Sequence, residues 1–207
     1  MALKSVDGLL GLVTSLIDFE STDNYTLRLH VSEYELNSYL ETTCEAFRTY
    51  ASIRDIDITR ESGFPYLNVR FDKDKMDSIL KNILSNALKY TPRGGSIQVR
   101  AFVDRHVWGV EVEDTGIGIP PEERKKLFRN HFRGSNAVNL QVAGNGVGLM
   151  MVHRLVRLHG GRVRVTSTEG KGTMVCVIFP LRSRRLDKAC PVASPRKQDT
   201  GETRMGP

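Results

Sequence analysis

Cysteine is scarce in this sequence, with three cysteines among 207 residues. Cys44, Cys176 and Cys190 are far apart, and none belongs to a CxxC pair. Isolated cysteines in odd number supply neither a disulfide framework nor a zinc site, because both need several thiols at characteristic spacings. The sequence therefore argues against a disulfide-rich secreted domain and against a zinc-binding module, and we expect reduced thiols.

Long apolar runs are lacking as well. No window approaches the roughly 20 apolar residues that a membrane-spanning helix needs, and the first residues lack the charged head and cleavage site of a signal peptide. The net charge is +6, but lysine and arginine do not collect along one continuous helix, which disfavours nucleic-acid binding. We predict a cytoplasmic chain with no direct membrane contact and no nucleic-acid partner.

What the sequence does contain is typical of one globular domain, since 40% of its residues are hydrophobic and 26% are charged. Apolar residues recur with helical period in three long stretches, and about five strands follow one another in antiparallel runs. Strands and helices do not alternate regularly, which disfavours a doubly wound sheet. We predict an α+β fold, a two-layer α/β sandwich in which a mixed five-stranded sheet packs on three helices.

The two ends of the chain differ from this central part. Residues 1–20 contain Val6, Leu10, Val13 and Ile17 at 4, 3, 4 spacing, which is the seam of a two-helix coiled coil. Two interpretations stay open: the stripe faces a partner helix, or the helix packs on its own domain. Residues 183–207 are basic and then aperiodic with proline, serine and glycine, as in a flexible tail or linker. The predicted domain covers residues 21–182.

The stretch DKDKMDSILKNILSNALKYTP carries polar residues on one helical arc. Asn82, Asn86, Lys89 and Tyr90 stand at i, i+4, i+7 and i+8, beside the apolar stripe of the same helix. Each asparagine costs about half a kcal/mol against alanine inside a helix. Amide oxygens suit Mg²⁺, which shares its shell with substrate phosphates, and a lysine adds positive charge. An ordinary solvated face explains the same residues, and this helix alone does not decide.

Three glycine-bearing segments follow that helix in the sequence. DTGIGIPP begins at Asp114 after an alternating strand, GNGVGL occupies residues 144–149 before a helix, and EGKGT occupies residues 169–173 between two strands. Glycine lets backbone N–H groups approach an anion, and a helix N-terminus adds its positive dipole. Each segment alone is equally well explained as a turn or flexible loop. The weakly patterned residues 119–144 between them form a segment long enough for a lid.

The order of the motifs is more specific than any one of them. NILSNALKYTP, DTGIGIP, LFRNHFRG, GNGVGL and GKGT follow one another between residues 82 and 173. In this order they resemble the ATP-binding catalytic domain of sensor histidine kinases, in the superfamily shared with gyrase and heat-shock chaperone ATPases. The resemblance covers about residues 25–181. It implies a Bergerat-type sandwich with an ATP lid, and ATP and Mg²⁺ as cofactors.

The resemblance also implies roles for individual residues. Asp114 would accept a hydrogen bond from the exocyclic amine of adenine, and Thr173 would lie under the base. Asn86 would bind Mg²⁺ and form the catalytic set together with Asn82 and Lys89. The implied nucleotide-binding residues are Asn86, Lys89, Tyr90, Asp114, Gly116, Gly118, Ile119, Arg129, Arg133, Gly144, Asn145, Gly146, Val147, Gly148, Leu149 and Thr173.

In the lid motif LFRNHFRG, the resemblance implies that Phe128 and Phe132 anchor the lid. Arg129 and Arg133 would then be available to phosphates or to a partner domain. His131 departs from the phenylalanine-rich run that the family usually has at this motif. The departure concerns the packing of the lid and leaves the implied nucleotide site unchanged.

The phosphoacceptor motif of the family, a histidine followed by an acidic residue on a helix, is missing. None of the five histidines has that context: His30, His106, His131, His153 and His159. The resemblance therefore implies the catalytic half of a kinase, with residues 1–20 as the end of its dimerisation hairpin. The implied partners are that hairpin, a response regulator receiver domain and a second copy of the full-length protein, which could be an inner-membrane sensor.

Two other functions were compatible with parts of the sequence. An ATP-hydrolysing relative of gyrase needs a general base to activate water, and the superfamily places a glutamate one turn before the magnesium-binding asparagine. That position is Asn82 here, and an amide cannot take a proton. A regulatory nucleotide-binding module without catalysis is disfavoured by the intact motifs. Phosphoryl transfer to an external histidine is the function that the sequence predicts.

Overall fold

The computed structural model describes residues 28–128, 134–139 and 146–182. The strands in these ranges are β1 (Val31–Glu35), β2 (Asp57–Ser62), β3 (Asn68–Asp72), β4 (Ser96–Asp104), β5 (Val107–Asp114), β6 (Arg162–Thr168) and β7 (Gly172–Pro180). The helices are α1 (Leu36–Ile53), α2 (Lys73–Tyr90), α3 (Ser135–Asn139) and α4 (Gly148–Leu158), with a 3₁₀ turn at Pro121–Lys126. No helix in the described ranges has the length and apolar character to cross a bilayer. The predicted terminal segments, residues 1–20 and 183–207, lie outside the described residues.

Five strands form one mixed sheet in the order β2-β4-β5-β7-β6. β2 runs parallel to β4, and the other neighbours are antiparallel. A parallel pair needs a long crossover connection, and β3 with α2 supplies it. The predicted mixed five-stranded sheet is therefore confirmed. The predicted total of about five strands was too low, because β1 and β3 form a separate two-stranded sheet. Each of these two strands runs directly into a helix, at Glu35 and at Asp72.

The main core lies between the five-stranded sheet and helices α1, α2 and α4. Trp108 is fully buried at its centre, with ring centroids 4.7 Å from Phe179 and 5.9 Å from Phe71. The predicted apolar stripe of α2 is buried in this core: Met76, Ile79, Leu80, Ile83, Leu84 and Ala87. Since this stripe fixes the rotation of α2, the neighbouring arc with the two asparagines is placed at the border of the core.

The last turn of α2 is held by the end of α1. The final carbonyl groups of a helix lack partners within the helix. Here Arg54 donates from Nη2 to the carbonyl oxygen of Thr91 at 3.1 Å and from Nη1 to that of Leu88. Thr91 is buried, and its Oγ1 donates to the carbonyl oxygen of Ala87 at 2.7 Å. These bonds fix the turn that carries the predicted site residues 89 and 90.

The first turn of α2 meets the end of α4 through a buried histidine. His159 is 1% exposed, and its Nε2 accepts a hydrogen bond from the backbone N–H of Asp72 at 3.2 Å. Its Nδ1 lies 2.9 Å from the carbonyl oxygen of Leu155, to which a neutral ring donates. Burial lowers the pKa of His159. His159 is therefore a packing residue. His30 lies just before β1, and its backbone N–H donates to Oδ2 of Asp72 at 2.7 Å.

Candidate active site

A cavity of about 310 Å³ lies between α2, the turn after β5, α3, the start of α4 and β7. Most predicted site residues that the structure describes line it: Asn82, Asn86, Lys89, Tyr90, Asp114, Gly118, Ile119, Gly146, Val147, Gly148, Leu149 and Thr173. Gly116 is not among the lining residues. The predicted residues Arg129, Arg133, Gly144 and Asn145 lie outside the described ranges. Motifs that are distant in sequence thus surround one cavity.

Asp114 is the last residue of β5 and is 8% exposed. Its Oδ1 accepts hydrogen bonds from the backbone N–H groups of Gly116 at 2.8 Å and Thr173 at 3.2 Å. No described residue donates to its other oxygen, Oδ2. Burial raises the pKa of Asp114 to about 6, although the two backbone bonds oppose the shift. At neutral pH the cavity is therefore lined by an ionised, firmly oriented acceptor.

The turn after β5 is bonded on both sides to other elements of the site. The N–H of Ile117 donates to the carbonyl oxygen of Tyr90 at the end of α2, at 3.1 Å. The carbonyl oxygen of Ile117 accepts from the N–H of Gly170 in the β6–β7 hairpin, at 2.8 Å. The turn is therefore held in a fixed position between α2 and that hairpin.

The two glycines of this turn have different roles. Gly118 has a φ of +64°, and a Cβ there would lie 2.0 Å from the carbonyl oxygen of Thr168. Gly118 lines the cavity. A Cβ at Gly116 would lie 2.6 Å from Oδ1 of Asp114. Gly116 thus makes room for the carboxylate, and it acts on the site through Asp114 and not as part of the cavity lining.

Asn82 and Asn86 lie where α2 faces the start of α4. Asn82 donates from Nδ2 to the carbonyl oxygen of Ser78 at 2.8 Å. A Cβ at Gly148 would lie 2.8 Å from Oδ1 of Asn82 and 3.7 Å from Nδ2 of Asn86. Glycine at position 148 therefore permits the close approach of α4 to both amides.

The amide side chains at this end of the cavity suit an Mg²⁺ ion that is bound together with phosphate. No group of three His, Cys, Asp or Glu side chains within the described ranges could hold a metal by itself. Mg²⁺ commonly keeps several waters and shares its remaining positions between few protein oxygens and substrate phosphates. Asn86 can supply one such oxygen. Beside it, Lys89 donates from Nζ to the hydroxyl of Tyr90 at 3.2 Å and lies 4.7 Å from the centre of that ring.

The described part of the motif GNGVGL forms the start of α4. Gly146 has a φ of +72°, a conformation that glycine adopts without steric cost. Val147 is the N-cap residue, and its side chain makes no hydrogen bond to the first turn. The first N–H groups of a helix lack partners within the helix and carry its positive dipole. Because Val147, Gly148 and Leu149 line the cavity, this helix end suits an anionic group.

Only part of the lid motif is described by the structure. The ring of Phe128 lies 5.0 Å from the ring of His153 on α4, whereas Phe132 and His131 fall outside the described residues.

Sequence reasoning missed Asn136, which lines the cavity and donates from Nδ2 to the carbonyl oxygen of Gly118 at 2.9 Å. Residues 119–144 have no periodicity, so no pattern marked Asn136 in advance.

An apolar row was also missed. Val112, Val175 and Val165 are register partners across β5, β7 and β6, and all three line the cavity. Ile83 and Leu127 extend this apolar lining. In the sequence the valines belong to ordinary strands, and only the register of Asp114 with Thr173 would have placed them beside the site. The row offers an apolar surface next to the carboxylate of Asp114, a combination that suits a planar heterocycle.

The chain is similar in sequence and in fold to known proteins. Residues 71–183 match the model of the family described as histidine kinase-, DNA gyrase B- and HSP90-like ATPase. The chain is 30% identical over 181 residues to histidine kinase P4 of Formosa agariphila, a match that covers 86% of this chain and 13% of that protein. It is 28% identical over 186 residues to sensor histidine kinase WalK of Bacillus subtilis, covering 89% of this chain and 30% of WalK.

A solved structure of full-length ShkA in complex with AMPPNP resembles the fold, with a TM-score of 0.76 at 25% identity. The similarity covers 88% of this chain and 38% of that chain. The chain spans less than a third of the length of P4 and of WalK. The matched residues 71–183 are more than half of the 207 residues. The chain therefore belongs to the family of histidine kinase-, DNA gyrase B- and HSP90-like ATPases.

Proposed function

We propose that this chain is the catalytic part of a sensor histidine kinase. It binds Mg-ATP in the cavity and positions the γ-phosphoryl group for transfer to a histidine of a separate dimerisation domain. Support comes from the family, from the kinases P4 and WalK among its relatives, and from ShkA, whose structure contains AMPPNP. The cavity supports it independently, because an acidic acceptor, two amides and a helix N-terminus surround one space.

The side chain at position 82 favours transfer over hydrolysis. Water needs a general base before it attacks a phosphoryl group efficiently. Asn82 is an amide whose nitrogen donates to the backbone of its own helix. Asp114 is the only carboxylate among the described residues that line the cavity, and its Oδ1 already accepts from the backbone N–H groups of Gly116 and Thr173. A nucleophile that brings its own base is therefore the better match to this site.

The chain contributes mainly positioning, which is the larger part of phosphoryl-transfer catalysis. Asp114 accepts from the base and fixes its orientation, and Lys89 provides positive charge near the phosphates. The N–H groups at the start of α4 receive the phosphate oxygens. Asn86 would hold Mg²⁺, which neutralises phosphate charge when it is bound.

The same proposal includes the partners that the sequence implied. The phosphoryl acceptor is a dimerisation hairpin, residues 1–20 are the end of its second helix, and the kinase acts as a homodimer in the cytoplasm. A response regulator receiver domain then takes the phosphoryl group from the hairpin histidine. None of the described histidines 30, 106, 153 and 159 precedes an acidic residue on a helix, which supports an acceptor outside the domain.

Labelling with γ-labelled ATP and Mg²⁺ tests this function. We expect no acid-labile label and only slow phosphate release from the chain alone. A separately supplied dimerisation hairpin with its histidine should become labelled, slowly, because the tethered reaction has become bimolecular. Acid-labile label on this chain by itself would contradict the assignment of its histidines. Rapid phosphate release would instead support an ATPase.

Replacing Asn86 with alanine should weaken ATP binding that depends on Mg²⁺ and leave adenosine binding nearly unchanged. The reason is that the amide is proposed to meet the metal and not the base. Titration calorimetry with ATP, with and without Mg²⁺, and with adenosine measures the difference. Asn68→Ala is the matched control, since Asn68 lies on β3 and bonds to Glu33 on the exposed edge. An equal loss of adenosine binding in Asn86→Ala would show a damaged fold and remove the proposed role.

A further inference from the structure

Ser167 is a buried polar residue of β6 that lies behind the cavity wall. It is 3% exposed and is not among the lining residues. Its Oγ donates to the carbonyl oxygen of Gly172 at 2.9 Å and lies 2.9 Å from Oγ1 of Thr173. Thr173 does line the cavity, and its backbone N–H is bonded to Asp114. Ser167 therefore contacts the hydroxyl next to the proposed adenine site.

The direction of the hydrogen bond between the hydroxyl groups of Ser167 and Thr173 follows from the single proton that each hydroxyl can donate. A hydroxyl group has one proton to donate and lone pairs that accept, whereas a carbonyl oxygen only accepts. Because Ser167 gives its proton to Gly172, its oxygen can bond to Thr173 only as an acceptor. The hydroxyl proton of Thr173 is thus used on Ser167, and Thr173 can offer a ligand only lone pairs.

This proton arrangement places two acceptors side by side. Thr173 is the register partner of Asp114 across β5 and β7. The first acceptor is Oδ2 of Asp114, which receives no hydrogen bond from the described residues. The second is Oγ1 of Thr173. Two adjacent acceptors favour a ligand edge that carries N–H donors, and they repel a carbonyl oxygen at the same place.

We propose that Ser167 is a specificity-determining positioning residue of the nucleotide site. By holding the Thr173 hydroxyl as an acceptor, it makes the cavity select a purine with an amine at C6 over one with a carbonyl. The inference rests on the proposed nucleotide binding and adds to it a residue that neither lines the cavity nor belongs to the sequence motifs. Ser167 acts through Thr173 and does not touch the base.

The test compares ATP with inosine triphosphate, ITP, in which a carbonyl replaces the amine at C6. In Ser167→Ala the Thr173 hydroxyl is free to rotate and to donate toward that carbonyl. We expect the ratio of the ITP and ATP dissociation constants to fall by about three- to tenfold, the effect of one neutral hydrogen bond. Thr166→Ala is the matched control, because Thr166 is the exposed neighbour on the opposite face of β6.

Two further measurements separate specificity from structural support. In a Thr173→Val background, which lacks the hydroxyl, Ser167→Ala should leave the ITP to ATP ratio unchanged. A lower melting temperature of Ser167→Ala with an unchanged ratio would show that Ser167 only supports the β6–β7 hairpin, and would overturn the inference. Should Ser167→Ala fail to fold, Ser167→Cys replaces it, since the sulfur is only a weak acceptor for the Thr173 proton and the ratio should fall in the same direction.

Failure of the underlying function gives a different result. A wild-type chain that binds neither ATP nor ITP would refute nucleotide binding itself, and the specificity of Ser167 with it. A wild-type chain that prefers ATP, combined with a ratio that Ser167→Ala does not change, would refute the role of Ser167 alone. The wild-type titration therefore distinguishes the two failures before any variant is compared.

Discussion

Asp114→Asn should raise the dissociation constant for ATP at least tenfold and should not weaken binding of ITP. The two backbone N–H groups that now donate to Oδ1 of Asp114 will hold the amide oxygen of the asparagine. The NH₂ group of the asparagine then takes the place of Oδ2 and faces the amine of adenine. Both groups are hydrogen-bond donors, so the hydrogen bond to the base is lost. Losing a hydrogen bond to a charged acceptor costs about 1.5 to 3 kcal/mol, which is tenfold or more in affinity.

Titration calorimetry with both nucleotides measures this effect, and Glu113→Gln is the control. Glu113 is the exposed neighbour of Asp114 on β5, so the control makes the same change of charge on the outer face of the sheet. Its ATP affinity should equal that of the wild type. Unchanged ATP affinity in Asp114→Asn would exclude Asp114 from the binding site.

Gly118→Ala should destabilise the fold and abolish tight nucleotide binding, whereas Gly170→Ala should cost much less. Both glycines have a positive φ, +64° and +74°, so both alanines carry the strain of the left-handed region, about 1 to 2 kcal/mol. The space around them differs. A Cβ at Gly118 would lie 2.0 Å from the carbonyl oxygen of Thr168, while nothing lies within 4 Å of a Cβ at Gly170.

The clash in Gly118→Ala is with backbone and cannot be relieved by rotating a side chain. Forced overpacking of this kind costs about 1 to 3 kcal/mol more, and relief requires the turn after β5 to move. That movement would strain the bonds of Ile117 to Tyr90 and to Gly170 and displace one wall of the cavity. Urea unfolding gives the free energies, and calorimetry gives the ATP affinities. Equal destabilisation by the two substitutions would contradict the close approach of this turn to β6.

Much of the fold could be predicted because its determinants are local. The apolar stripe of α2 repeats with the helical period, and Asp72 caps the helix by accepting from the N–H of Lys75. The second half of β5, from Val110 to Asp114, alternates between buried and more exposed residues, and the end of the strand was placed correctly. The separate β1–β3 sheet was not predicted, since strand pairing depends on distant partners and a short strand looks the same in either sheet.

The sequence by itself determined which chemical groups are available: a carboxylate after a strand, two amides on one helical arc, and glycines before a helix. Short-range spacing is enough for this, because neighbours along a helix or strand are neighbours in space. Only the tertiary structure decided which groups meet. Sheet register brought Asp114 beside Thr173 and aligned Val112, Val175 and Val165, and helix packing brought Gly148 against Asn82. The directions of the hydroxyl hydrogen bonds, and hence the proposed role of Ser167, depend on contacts between β6 and β7. No periodicity encodes such contacts, because they depend on how separate elements pack together.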